Sequence, residues 1–232
     1  MKRLGLYGAG LFAAHNINGG GGGSEGGGGS GSGAGTTWTL RIPVFNDLNG
    51  VTYGNGLFVA VGEDGAILTS PDGVNWTART SGTDNELYGV TYGNGTFVAV
   101  GGGGTGGTIL TSPDGVNWTQ RTSPTSNYLY CMTYGNGLFV AVGEDGAIVT
   151  SSDEVNWTAQ TSPTSNSLSL YCVTYGNGLF VAVGEYGTIF TSTDGVNWTE
   201  RTSGTRAWIN SVTYGNGTFV AVGDHGTILT SP

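Results

Sequence analysis

The six-residue string VTYGNG begins at Val51, Val90, Val173 and Val212, and as MTYGNG at Met132. Successive starts lie 39, 42, 41 and 39 residues apart. No other feature constrains the fold as tightly, because a unit of about 40 residues cannot bury its own apolar surface and has to stack on its neighbours. Each copy runs on through GxFVAVG and GxIxTS, and the first four end in VNWT. Every unit therefore holds four short segments of strand composition. Between Leu57 and Tyr92 they are LFVAVGE, GAILTS, NWTART and LYGVTYG.

The joints carry turn chemistry. GNG after the first strand and EDG after the second suit tight hairpins that need positive φ. SPDGVN after the third combines a proline that presets φ, an aspartate that can bond its own backbone, and a glycine. Four antiparallel strands per unit of this length is the pattern of a propeller blade. The last copy stops at GTILTSP without an NWT segment, while Trp38-Thr39-Leu40-Arg41 precedes the first copy and matches Trp76-Thr77-Ala78-Arg79. The expectation is an all-β, five-bladed propeller over residues 37–232, with four-stranded blades. The strand around Trp38 would close it, protecting two strand edges.

The unit G-x-F-V-A-V-G-x-x-G-x-I-x-T-S-x-D-G-x-x-W resembles the Asp-box (BNR-like) repeats of bacterial propeller proteins, over residues 37–232. The usual box has one more residue between its Asp and its Trp, so Ser70-Pro71-Asp72-Gly73-Val74-Asn75-Trp76 is a shortened relative. Repeats of this kind occur in sialidases, photosystem assembly factors and many binding modules. The resemblance thus implies a fold and leaves function open.

Glycine supplies 46 of the 232 residues, and the stretch Gly19–Gly35 reads GGGGGSEGGGGSGSGAG. Such a tract has no apolar surface to bury, so residues 19–36 read as a Gly/Ser-rich linker. Before it, MKRLGLYGAGLFAA pairs a basic start with a short apolar run, as a secretory leader does. Gly5, Gly8 and Gly10 interrupt that run, which is also too short to span a bilayer. Residues 1–18 are therefore expected to be an extended arm that docks the chain in a larger protein assembly.

Net charge is −9, and because the arm carries Lys2 and Arg3 against Glu25, the remainder stands at −10. A surface so acidic, without a Lys/Arg cluster, argues against a nucleic-acid partner. Cys131 and Cys172 are the only cysteines and His15 and His225 the only histidines, so no cofactor, metal set or catalytic triad is expected. The two cysteines occupy matching positions just before the VTY-type strand, read as a small-residue core position. A sialidase would need converging arginines, but Arg41, Arg79, Arg121 and Arg201 each follow a repeat Trp by three residues and are dispersed, one per blade. The chain is expected not to be an enzyme. The regular SPDGVNW segment reads as architecture, its Asp capping backbone amides and its Trp packing between blades.

In a four-stranded meander the joints alternate between two faces. The GNG and SPDGVN joints share one face, which is nearly uniform among the copies. The hairpins after the second strand and the blade-to-blade connections share the other, where the copies differ. Candidate ligand-binding residues are therefore Glu63, Asp64, Glu144, Asp145, Glu185, Tyr186, Asp224 and His225 from the hairpins. The connections add Phe45, Asp84, Glu86, Tyr128, Arg206 and Trp208. Variable loops on a rigid scaffold are where binding concentrates, and an acidic face with Tyr and Trp suits stacking on sugars. The reading that follows is a non-catalytic glycan- or protein-binding module, adhesin-like, at a virion, extracellular or cell surface. The alternative is a structural decoration or assembly factor using the propeller for protein contacts.

Overall fold

The computed structural model describes residues 38–41, 46–104, 106–163 and 168–232. The arm, the linker and Phe45 lie outside them. Four sheets hold four strands each. The first is β1 (Leu48–Gly54), β2 (Leu57–Gly62), β3 (Ile67–Ser70) and β4 (Thr77–Arg79). The second is β5 (Glu86–Gly93), β6 (Thr96–Gly103), β7 (Gly106–Ser112) and β8 (Thr119–Arg121). β9 (Leu129–Gly135), β10 (Leu138–Gly143), β11 (Ile148–Ser151) and β12 (Thr158–Gln160) form the third. β13 (Leu170–Gly176), β14 (Leu179–Gly184), β15 (Ile189–Ser192) and β16 (Thr199–Arg201) form the fourth. The fifth has β17 (Ile209–Gly215), β18 (Thr218–Gly223) and β19 (Thr227–Ser231). Strand order follows the chain in each sheet, with antiparallel pairing throughout.

The first strands stack in sequence, β1 on β5, β5 on β9, β9 on β13 and β13 on β17. This explains why FVAV is a continuous apolar run and not an alternating one: a sheet covered on both faces buries both sets of side chains. Phe97, Val98, Ala99 and Val100 are all fully buried. The stack is locked by a tyrosine on a glycine. A Cβ on Gly54, Gly93, Gly135 or Gly176 would run into the ring of Tyr92, Tyr134, Tyr175 or Tyr214 of the next sheet. Each of these tyrosines is backed by a phenylalanine of its own sheet, as Tyr134 is by Phe139 with ring centroids 4.6 Å apart.

The expected closure is not found. Residues 38–41 pair with no strand, Trp38 is 88% exposed, and the fifth sheet has three strands. The physical reason is at the ends of the stack: Gly215 has nothing within 4 Å of where its Cβ would be, and Tyr53 is 43% exposed. Among the described residues the two end sheets therefore lack the tyrosine-on-glycine contact that joins the others.

The joints behave as their residues demand. Asn55-Gly56 and its four counterparts hold positive φ at both positions, 48° and 76° in the first copy, which is the hairpin geometry Asn-Gly favours. EDG, EYG and DHG each form a single 3₁₀ turn whose middle residue is left-handed. In the second sheet the glycine string lengthens the strands, and β6 and β7 stay paired out to Gly103 and Gly106.

The SPDGVNW segment is a turn. Asp72 Oδ1 accepts from the backbone N–H groups of Val74 and Asn75, at 2.8 Å each, and Trp76 Nε1 donates to the Gly73 carbonyl at 3.1 Å. The same set recurs at Asp114, Asp153 and Asp194. Trp157 packs in one core cluster with Val98, Val100 and Ile109 of the preceding sheet, as expected of a residue between blades. The tryptophans also touch a phenylalanine of their own sheet, Trp76 by Phe58 at 6.4 Å and Trp198 by Phe180 at 6.5 Å. Arg79, Arg121 and Arg201 each donate from Nε to a threonine of the neighbouring strand at 2.8 Å. They are strand-pairing residues, one per sheet. No helix among the described residues is long and apolar enough to cross a membrane.

Candidate functional site

The variable face is built by a repeated tie between the 3₁₀ turn and the segment entering the same sheet. Glu63 N donates to the Asp47 carbonyl, Glu144 N to that of Tyr128, Glu185 N to that of Ser169 and Asp224 N to that of Trp208, at 2.8–3.1 Å. On its other side the turn abuts the outgoing connection, so that a Cβ on Gly65 would strike the Thr83 carbonyl. Hairpin and connection therefore share one face and hold each other in place.

On this face a run of aromatic rings crosses sheets two to five. Tyr128 lies 6.5 Å from Tyr88, Tyr88 lies 5.4 Å from Tyr130 in an edge-on contact, and Tyr130 lies 6.3 Å from Tyr171. Tyr171 continues to Trp208 at 5.8 Å, and Trp208 meets the edge of Tyr186 at 6.3 Å. Carboxylates flank the run. Glu86 Oε2 accepts from the Tyr88 hydroxyl at 2.9 Å and its Oε1 from Asn49 Nδ2 at 3.2 Å. Glu185 Oε1 accepts from the Tyr171 hydroxyl at 2.9 Å, and Glu144 Oε2 from the Tyr128 backbone N–H at 3.3 Å. Partial burial first, and then the hydrogen bond to Glu86, hold the Tyr88 phenol well above its ordinary range. The Tyr88 hydroxyl is thus the donor in its bond to Glu86.

The structure brings six of the expected residues into this array: Glu86, Tyr128, Glu144, Glu185, Tyr186 and Trp208. Asp64 and Asp84 instead line a groove of about 430 Å³ beside the first sheet, with Asn46 and Arg79. Asn46 Nδ2 donates there to Asp64 Oδ2 at 3.1 Å and lies 3.4 Å from the Glu63 carbonyl, while the Glu63 side chain is exposed. Asp224 is held by Asn210 at 2.9 Å. Asp145, Arg206 and His225 are exposed.

Three members, Tyr88, Tyr130 and Tyr171, escaped the sequence reading because they fall within the strand repeat and look like architecture. A signal was there: the position is Tyr in the three middle copies and Asn at the ends, Asn49 and Asn210. It also follows the variable connection directly, on the first strand of the sheet. Tyr186 carries a second mark. It sits at φ 51° and is 59% exposed, where the first and third copies have Asp64 and Asp145. A large side chain in the left-handed region is uncommon, and such strain collects at ligand sites.

Elsewhere the chemistry is sparse. Cys131 and Cys172 are free, buried thiols with their sulfurs 3.6 Å apart. They stand where Gly50, Gly89 and Ser211 stand in the other copies, close against the next sheet, as expected of a small-residue position. The hydrogen bond Cys131 gives to Cys172, together with burial, pushes the Cys131 thiol well up. Among the described residues no group of three or more His, Cys, Asp or Glu gathers as a metal set.

No family model matches the chain, and no curated protein matches it in sequence. Solved structures share its fold. Virginiamycin B lyase from Staphylococcus aureus superposes with a TM-score of 0.69 at 15% identity, over 82% of this chain and 71% of that one. YCF48 from Cyanidioschyzon merolae gives 0.64 at 17%, over 82% and 68%. YCF48 bound to D1 peptide gives 0.65 at 19%, over 83% of this chain and 65% of that one. These are β-propellers, one an enzyme and one holding a peptide, and at such identities they speak for the fold alone.

Proposed function

We propose that this chain is a non-catalytic binding module whose variable face takes a glycan, and that residues 1–18 dock it in a larger assembly at a virion or cell surface. The aromatic run from Tyr128 to Tyr186 carries this reading. Tyr186 is exposed and Tyr88, Tyr128, Tyr130 and Trp208 are partly exposed around the buried Tyr171, so the run offers aromatic surface that stacks on sugars. Glu86, Glu144 and Glu185 beside it are carboxylates suited to accept sugar hydroxyls. Several modules on one particle would gain avidity when they engage a single surface. The same reading completes an Asp-box-like propeller with Trp38-Thr39-Leu40-Arg41 as the fourth strand of a fifth sheet, whether of its own chain or of another copy. A glycan array with the full chain, repeated with Trp208→Ala and Tyr88→Ala, tests it: binding to a defined set of glycans should fall at least tenfold in both variants. Binding that both variants retain would place the ligand elsewhere.

A second reading, a protein-binding assembly or decoration factor, draws on the likeness to YCF48 bound to D1 peptide. An extended peptide could lie along the same rings. Retention of a peptide set by the full chain, with no glycan bound on the array, would favour it.

A further inference from the structure

We propose that copies of this chain associate head to tail, the fifth sheet of one stacking on the first sheet of the next and receiving its Trp38–Arg41 segment as a fourth strand. The inference is independent of what the variable face binds. It starts from the two ends of the stack, which are unfilled and complementary. Tyrosines of sheets two to five each sit on a glycine of the sheet before. One glycine, Gly215, is left without its tyrosine, and Tyr53 is left without its glycine.

The surrounding apolar positions tell the same story. Leu48 and Val51 are each 44% exposed, whereas Leu87, Leu129, Leu170, Val90, Met132, Val173 and Val212, their counterparts, are buried. At the other end Val222 is 44% and Ile228 69% exposed, whereas Val61, Val100, Val142 and Val183 are fully buried, as are Ile67, Ile109 and Ile148 to within 1%. Head and tail thus expose two halves of a joint that the chain makes four times internally. The occupant whose surface fits each half is the other half, on a second copy.

The strand inventory agrees. Among the described residues β19 has no partner on its outer edge, and an open edge is a template for pairing. Trp38 stands 13 residues before Val51, much as Trp76, Trp118 and Trp198 stand 14 before Val90, Met132 and Val212. In those cases the segment after the Trp belongs to the sheet preceding the VTY-type strand. The sheet preceding β1 is, in this geometry, another copy's fifth. The register of the first sheet, Ile67 opposite Arg79, Leu68 opposite Ala78 and Thr69 opposite Thr77, transfers to Ile228 opposite Arg41, Leu229 opposite Leu40 and Thr230 opposite Thr39. Head-to-tail contacts use different surfaces on the two partners, so they form closed rings or continuing arrays.

Light scattering on a sizing column, with the full chain over a range of concentrations, should give masses that are multiples of 23.6 kDa. Tyr53→Glu blocks the head and Gly215→Glu the tail, and Gly215 has no positive φ to disturb. Each variant alone should be a monomer, and an equimolar mixture should yield a one-to-one pair, formed from the intact tail of the first and the intact head of the second. Should either variant fail to melt cooperatively, Tyr53→Ala and Gly215→Val read the same outcome. A wild-type chain that stays monomeric at every concentration, its ends closed within one copy, overturns the proposal. So does a mixture that remains monomeric, or an assembly that Tyr53→Glu abolishes and Gly215→Glu leaves intact, since that would be a head-to-head contact.

Discussion

Replacing Gly93 by alanine and Gly215 by alanine changes the same residue of the same repeat, and the two should differ sharply. A Cβ on Gly93 would lie 2.5 Å from Tyr134 Cδ1 and 2.7 Å from Tyr134 Cβ. These are inside any tolerable carbon contact, so the ring must move. It cannot move freely, because Phe139 packs against it with centroids 4.6 Å apart. Overpacking of this kind costs about 1–3 kcal/mol. At Gly215 the new methyl meets nothing within 4 Å. There alanine should be neutral or stabilise by up to about 1 kcal/mol, through the unfolded chain. Urea denaturation followed by tryptophan fluorescence, at a concentration where both variants are monomeric, gives the two midpoints side by side. Gly93→Ala should unfold at clearly lower urea than wild type, and Gly215→Ala at the same or slightly higher. Equal midpoints would show that tyrosine-on-glycine stacking does not hold the sheets together, and the account of the fold given above would be wrong at its centre.

Acid should destabilise the protein through its four repeat turns. Hydrogen bonds from the asparagine three residues on, together with the backbone N–H of the valine before it, hold the carboxyls of Asp72, Asp114, Asp153 and Asp194 well below their usual 3.8. A depressed folded value means stability that is present above about pH 4 and lost as pH falls further; melting temperatures should drop over that range, and less steeply in an Asp72→Asn, Asp194→Asn double variant. Glu154 holds φ 61° where the other turns have glycine, so Glu154→Gly should relieve about 1 kcal/mol of strain, offset in part by its lost 2.7 Å bond from Asn94. Gly195→Glu, the reverse change, should cost about 1–3 kcal/mol, because the new Cβ would strike Leu138; thermal melts of the pair check the sign. Finally, a thiol reagent should find no reactive cysteine in the native chain and two after unfolding, since Cys131 and Cys172 are buried and unbonded; fewer than two would show that they have joined.

The sequence by itself determined the blade. Repeat period, Asn-Gly hairpins and the Asp-capped turn are local matters, set within a few residues by backbone preference and short-range hydrogen bonds. They came out in the structure as the residues demand. Sorting the joints onto two faces followed from strand count alone, and it placed Tyr128, Glu86, Glu144, Glu185, Tyr186 and Trp208 correctly on one of them. What the sequence could not determine was which of these meet. Tyr128 is linked to Trp208 and Tyr186 through Tyr88, Tyr130 and Tyr171, three residues some 40 positions apart that the stacking of sheets brings together, and whose place in the repeat disguised them. Nor could it determine closure. Complementary ends, WTLR at one and an unfinished sheet at the other, say that a strand is missing and what fits it. Whether both ends belong to one copy depends on the rotation from each sheet to the next, a quantity fixed by side-chain packing across four interfaces, and here Tyr53 and Gly215 are left apart.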